Sequence, residues 1–208
     1  MTSSHLPNPM YTPSVLPAFP VRHTVDPGTD TTALDQVLQY IAWVASSAAP
    51  ESVLLDEVVR EVAETLGVPL CKVVELDSSG RWFTVVAGVG WQSGVVNSGY
   101  IPVGSTSQAG LTIALGTPLV CSDLPNAHSL RDASVLRRHA VISSISAVVG
   151  RPNLPLGVLS AHATTSRHFS SAETRFLARA AALLGRGLVD RRQGMPQADR
   201  MLSTSRMP

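Results

Sequence analysis

The sequence predicts an α+β fold, a mainly antiparallel sheet with helices packed on its faces. Three observations point there. Two helix-period segments precede any strand, and two pairs of short apolar runs are spaced as hairpins. No regular strand-helix alternation appears that would build a doubly wound parallel sheet.

The elements follow in order. Leu34, Val37, Leu38, Ile41 and Ala45 recur at three- and four-residue steps, which places them on one stripe of an amphipathic helix over about 32–48 that Pro50 ends. A second helix, SVLLDEVVREVAETLG, carries Leu55, Val58, Val59, Val62 and Leu66 on its stripe. Gly67 stands just past its end, where a left-handed backbone is least strained for glycine. After Val68-Pro69 the period falls towards 2: Leu70 to Leu76 is a strand, Asp77-Ser78-Ser79-Gly80 a turn and Trp82 to Ala87 a returning strand.

Gly88, Gly90, Gly94, Gly99 and Gly104 then mark a long irregular stretch, and such a loop in a compact domain is more often functional than idle. A short helix over Gln108 to Leu115, a strand over Pro118 to Ser122 and a short helix over Ser129 to His139 come next. Ile142 to Val149 and Leu156 to Ala163 form the second hairpin around Gly150-Arg151-Pro152-Asn153. Ser170 and Glu173 make a capping box for the last helix, whose stripe includes Phe176, Leu177, Ala180, Leu183, Leu184 and Leu188.

The length of 208 residues fits one domain with tails. Residues 1–31 are punctuated by six prolines and 193–208 show no apolar period, so both read as disordered and the domain as 32–192. A formal net charge of +1 provides no general attraction to nucleic acid or anionic lipid. Fifteen of the sixteen cations are Arg and only Lys72 is not, from which no mechanism is drawn. Cys71 and Cys121 form no CxxC and no zinc-like spacing, so neither a disulfide scaffold nor a metal site is expected. No apolar run is long enough to span a membrane and no signal peptide opens the chain, so a cytoplasmic protein is expected.

Five segments in this order resemble the GAF family: LLDEVVREVAETLGVPLCKVVELD, AGVGW, SQAGLTIALGTPLVCSDL, LRRHAVISSISAVV and LGVLSAHATTSRHFSSAETRFLARAAALLG. They cover about Ser52 to Leu188 and are similar to the GAF modules of bacterial sensor histidine kinases. The resemblance implies a GAF/PAS-like sheet of five to six strands, with terminal helices on one face and loops and short helices over a ligand pocket on the other. It also implies pairing through the helices at 32–48 and 171–192, and a signalling partner such as the histidine kinase of a two-component system. The family name does not identify the ligand.

Strand alternation puts Ser144 and Ser146 on one face of their strand, and Ser160 and His162 on one face of theirs. These are the candidate pocket wall, with Trp91, Gln108, Cys121 and Asp123 from the covering segments; the serines also fit as small residues under a packed loop. His139 and His162 are candidate pocket residues as ligands or hydrogen-bond donors; His139 lies where some GAF domains hold haem, but a helix-ending cap is its preferred role. Bilin attachment needs a cysteine usually followed by histidine, which neither Cys71 nor Cys121 provides, so haem and bilin are both disfavoured.

No nucleophile, metal or phosphate-loop motif is present. The favoured function is a small-molecule sensor signalling through its terminal helices. The alternatives are a stand-alone redox enzyme of the free methionine sulfoxide reductase kind, resting on Cys121, and a ligand-free dimerising scaffold.

Overall fold

The computed structural model describes residues 31–97, 100–104, 106–130 and 134–194. The expectations for residues 1–30 and 195–208 lie outside these. Helices α1 (Thr31–Ser46) and α2 (Glu51–Leu66) precede strands β1 (Leu70–Leu76), β2 (Trp82–Val89) and β3 (Ile101–Pro102). Helix α3 (Gln108–Leu115), β4 (Leu119–Cys121), α4 (Ser134–Arg138), β5 (Ser143–Arg151), β6 (Leu154–Ala163) and α5 (Ser171–Gly194) complete the order.

The six strands form one sheet in the order β3-β2-β1-β6-β5-β4, every pairing antiparallel. The chain closes this order by joining the two hairpins side by side, β1 against β6, so the middle of the sheet is also its most buried part.

Each strand divides its residues by parity. Cys71 and Val73 of β1, Ile145, Ala147 and Val149 of β5, and Leu159, Ala161 and Ala163 of β6 join one apolar cluster with the stripes of α1, α2 and α5. The opposite parity, Lys72, Ser144, Ser146, Ser160 and His162, is buried on the other face, under α3, α4 and their loops. The expected two-faced sheet is therefore present, its oily side sealed by the terminal helices and its polar side by the covering segments.

Local chemistry sets the helix ends. The Ser170 amide donates to Glu173 Oε2 at 2.7 Å and the Glu173 amide to Ser170 Oγ at 3.2 Å, the reciprocal bonds of a capping box. Gly67 ends α2 with φ of 59°, donating its N–H to the carbonyls of Ala63 and Glu64. Within α5, Gly185 allows contact with the β5–β6 hairpin, since a Cβ there would lie 2.4 Å from Gly150 N. α1 and α5 run parallel, with Arg179 paired to Asp35 at 2.6 Å near one end and Arg191 bonded to Ala45 O at 2.6 Å near the other.

Some boundaries differ from the expected ones. α5 continues through Gly194, past the boundary drawn at 192, and β5 and β6 extend to a tight turn at Pro152-Asn153 because Arg151 and Leu154 still pair. β3 was not expected: two residues, Ile101 and Pro102, pair with Phe83 and Trp82 inside the glycine-rich stretch. Helix α4 covers only Ser134–Arg138 of the expected 129–139; 131–133 lie outside the described residues.

Candidate functional site

Between α3, α4, the segment around β3 and the polar face of the sheet lies a cavity of about 280 Å³. Its floor is Lys72, Val74 and Ser160, its sides include Gln108, Ile101 and Leu136. Lys72 and Ser160 stand opposite each other in the β1–β6 register, in the centre of the sheet.

Lys72 is 6% exposed. Burial pulls its ammonium down to about 8, so at neutral pH it stays mostly charged. Its Nζ sits 4.8 Å from the centroid of the Trp91 ring. Trp91 reaches this place because β2 carries Gly88 opposite Lys72; a Cβ on Gly88 would lie 2.8 Å from Trp91 Cδ1. The indole N–H donates to Cys71 O at 2.8 Å, which fixes the ring against the sheet.

His162 packs edge-on against the same ring, centroids 5.3 Å apart. It is fully buried and neither ring nitrogen has a hydrogen-bond partner. Burial, with the Lys72 charge second, holds its pKa well below the ordinary value, so this imidazole is neutral at pH 7. His139 lies on the other side of Trp91 at 4.9 Å, and both its nitrogens are engaged. Nε2 accepts the Gln92 amide at 3.2 Å, which leaves Nδ1–H to donate to Val135 O at 2.8 Å. His139 thus caps α4, as preferred from the sequence, and ties that helix to the 90–97 loop.

Gln108, Ser144, Ser146 and Thr112 form a second polar unit. Gln108 Nε2 donates to Ser144 Oγ at 3.0 Å and to Ser146 Oγ at 3.2 Å, and Thr112 Oγ1 donates to Gln108 O at 2.7 Å. Since the Thr112 proton is used there, the 2.7 Å contact between Ser146 Oγ and Thr112 Oγ1 has Ser146 as donor. The bonds form a ring of donors in one sense, which docks α3 on β5 without an unpaired amide. Ser144 and Ser146 therefore serve chiefly to hold the covering helix; Gln108 also borders the cavity.

Of the residues singled out from the sequence, Gln108 and Ser160 border the cavity, while Trp91 and His162 pack beside Lys72. Cys121 packs half-buried in a cluster with Leu124 and Leu136 and is not in the cavity wall. Asp123 is exposed and binds Asn126, its Oδ2 accepting from Asn126 Nδ2 at 2.8 Å. Lys72 was missed. Its signal was visible: the only lysine, inside an apolar strand, at the parity opposite Cys71 and Val73.

The two thiols lie on opposite faces of the sheet, Cys71 among the residues under the helices and Cys121 under the covering loops. Burial pushes both thiols up, which favours the unreactive protonated form. Among the described residues no group of three or more His, Cys, Asp or Glu is placed to hold a metal ion. At about 30 Å³ of liquid volume per water, the cavity holds about nine waters, room for a small metabolite. Both His139 nitrogens are already engaged, with the Gln92 amide and Val135 O.

This architecture defines an α+β fold, apolar towards its terminal helices and hollow on the reverse. The chain belongs to the GAF domain family, whose model matches residues 50–188. No curated protein sequence matches it. The GAF domain from a phosphoenolpyruvate-protein phosphotransferase of Coxiella burnetii is similar in structure, with TM-score 0.72 and 19% identity over 79% of this chain and 98% of that one. A free methionine-R-sulfoxide reductase from Neisseria meningitidis in complex with its substrate gives 0.71 and 17%, over 84% and 99%. The phycocyanobilin-bound GAF domain from a cyanobacterial phytochrome gives 0.62 and 14%, over 76% and 94%. At these identities the likeness is one of fold. No helix among the described residues is long and apolar enough to cross a membrane.

Proposed function

We propose that this chain is a small-molecule-sensing or regulatory module whose terminal helices carry the bound state to a signalling partner, such as a histidine kinase. The observation that supports this most is the partly open cavity above Lys72, on the face of the sheet opposite the helices. A ligand there contacts β1, β6 and α3, and β1 and β6 pack through their other parity on α2 and α5. The half-buried Val37, Tyr40 and Trp43 leave part of the apolar surface of α1 open, which suits a second copy of the chain in a homodimer.

The separation of Cys71 from Cys121 by the sheet favours sensing over thiol redox chemistry, which needs a resolving partner within reach of the attacking thiolate. Native mass spectrometry of protein purified from its own host tests the reading. The expected species is a dimer retaining a small molecule. A ligand-free species points to the scaffold role instead, and methionine sulfoxide turnover that disappears in Cys121→Ser would replace sensing with catalysis.

A further inference from the structure

We propose that the cavity takes a small organic carboxylate, its anionic group seated on Lys72 Nζ between Trp91 and Ser160. This names the ligand class for the sensing function above and rests on it. Lys72 borders the cavity while more than nine-tenths buried, and no carboxylate or hydrogen-bond acceptor among the described residues reaches its ammonium. The ammonium opens onto the cavity with no protein acceptor, and a ligand that brings the counter-charge offsets the cost of holding it away from bulk water. The Trp91 face steadies the cation but offers no lone pair.

The count of charges selects a carboxylate. Among the described residues Lys72 is the one cation lining the cavity, a single point charge rather than the paired donors that suit a phosphate dianion. The Ser160 hydroxyl, opposite Lys72 in register, is placed to donate to the second carboxylate oxygen. Val74, Ile101, Pro102, Ala109 and Leu136 make the remaining wall apolar, so the rest of the ligand is largely hydrocarbon. Among the described residues the titratable groups around Lys72 are His162 on β6, His139 just after α4 across Trp91, Tyr100 at the cavity edge and Cys71 behind the strand, and none of these is a carboxylate.

Because Lys72 is the only lysine of the chain, protein labelled with ¹³Cε,¹⁵Nζ-lysine gives one side-chain signal. The probes are pentanoate, the neutral isostere pentanamide, and inorganic phosphate. Pentanoate is expected to shift the signal saturably and to raise the pH at which it titrates by about one unit, a tenfold preference for the charged amine; pentanamide is expected to leave it in place. Lys72→Met should weaken pentanoate binding, measured by calorimetry, by about tenfold or more. An equal response to pentanamide, a stronger one to phosphate, or no saturable shift with millimolar pentanoate overturns the assignment. A neutral compound retained by host-purified protein overturns the carboxylate and leaves sensing intact, whereas host-purified protein with no bound molecule removes the sensing reading itself.

Discussion

Replacing Lys72 with methionine is expected to stabilise the unliganded domain. Methionine keeps the unbranched stem and its packing but removes the ammonium that β1 buries without a partner. Unfolded, the amine titrates near 10.5; folded, near 8. Between those values the unfolded chain binds the proton and the native one does not, so this residue's contribution to stability rises as pH climbs from 8 to 10.5. Below 8 both states are charged and the full burial cost stands, about 3 kcal/mol at 1.36 kcal/mol per pKa unit. The lost contact with the Trp91 face is worth about 1 kcal/mol, leaving a net gain of about 2 kcal/mol at pH 7.

With a slope of about 2 kcal/mol per molar urea, the unfolding midpoint of Lys72→Met should lie about 1 M above that of the parent at pH 7. Near pH 10 the burial cost falls to about 1 kcal/mol, and the two midpoints should nearly coincide. The difference between the two proteins is the quantity to follow, because burial also raises Cys71 and Tyr40, the latter to about 12. Those groups lose stability as pH rises through the alkaline range, and they titrate in both proteins. A variant no more stable than the parent at pH 7, or a gain of the same size at pH 10, refutes the reasoning.

Three further outcomes are expected. Ser170→Ala removes the hydroxyl that accepts the Glu173 amide and should cost about 1 kcal/mol in urea unfolding, with Ser170→Asp recovering most of it. Gly185→Ala forces a methyl against backbone atoms of Gly150 at 2.4 and 2.7 Å, so α5 must lift and thermal unfolding should show a loss of about 2 kcal/mol. Arg191→Met strips four carbonyls, those of Val44, Ala45, Ser47 and Ala49, of their guanidinium donor; a loss of about 2 kcal/mol should come with faster amide hydrogen exchange at the end of α1.

What the sequence made legible was what depends on neighbours along the chain. Ser170 and Glu173 are three residues apart, and their bonds follow from that spacing alone. The two hairpins and the face division at Ser144, Ser146, Ser160 and His162 follow from strand parity. β3 was not legible, because Ile101 and Pro102 are a strand only by virtue of Trp82 and Phe83 lying alongside. Asp123 read as a pocket acid, yet its side chain turns back to Asn126, three residues on. Lys72 stood out in the sequence as the sole lysine within an apolar strand, but its surroundings did not, because β6 pairs beside it and Trp91 folds over it from another loop. Cys121 has the residue type for redox chemistry, while Cys71 lies on the opposite face of the sheet, a separation that only the folded strands reveal.

The last turn of α5 grips more than α1. Arg192 forms ion pairs with Glu51 at the first residue of α2 and with Glu75 on β1, each at 2.6 Å. Glu75 stands three residues along the same strand from Lys72. β1 thus carries, three residues apart, the cavity lysine and the carboxylate that anchors the end of α5, so strand and helix share one ionic joint at Arg192.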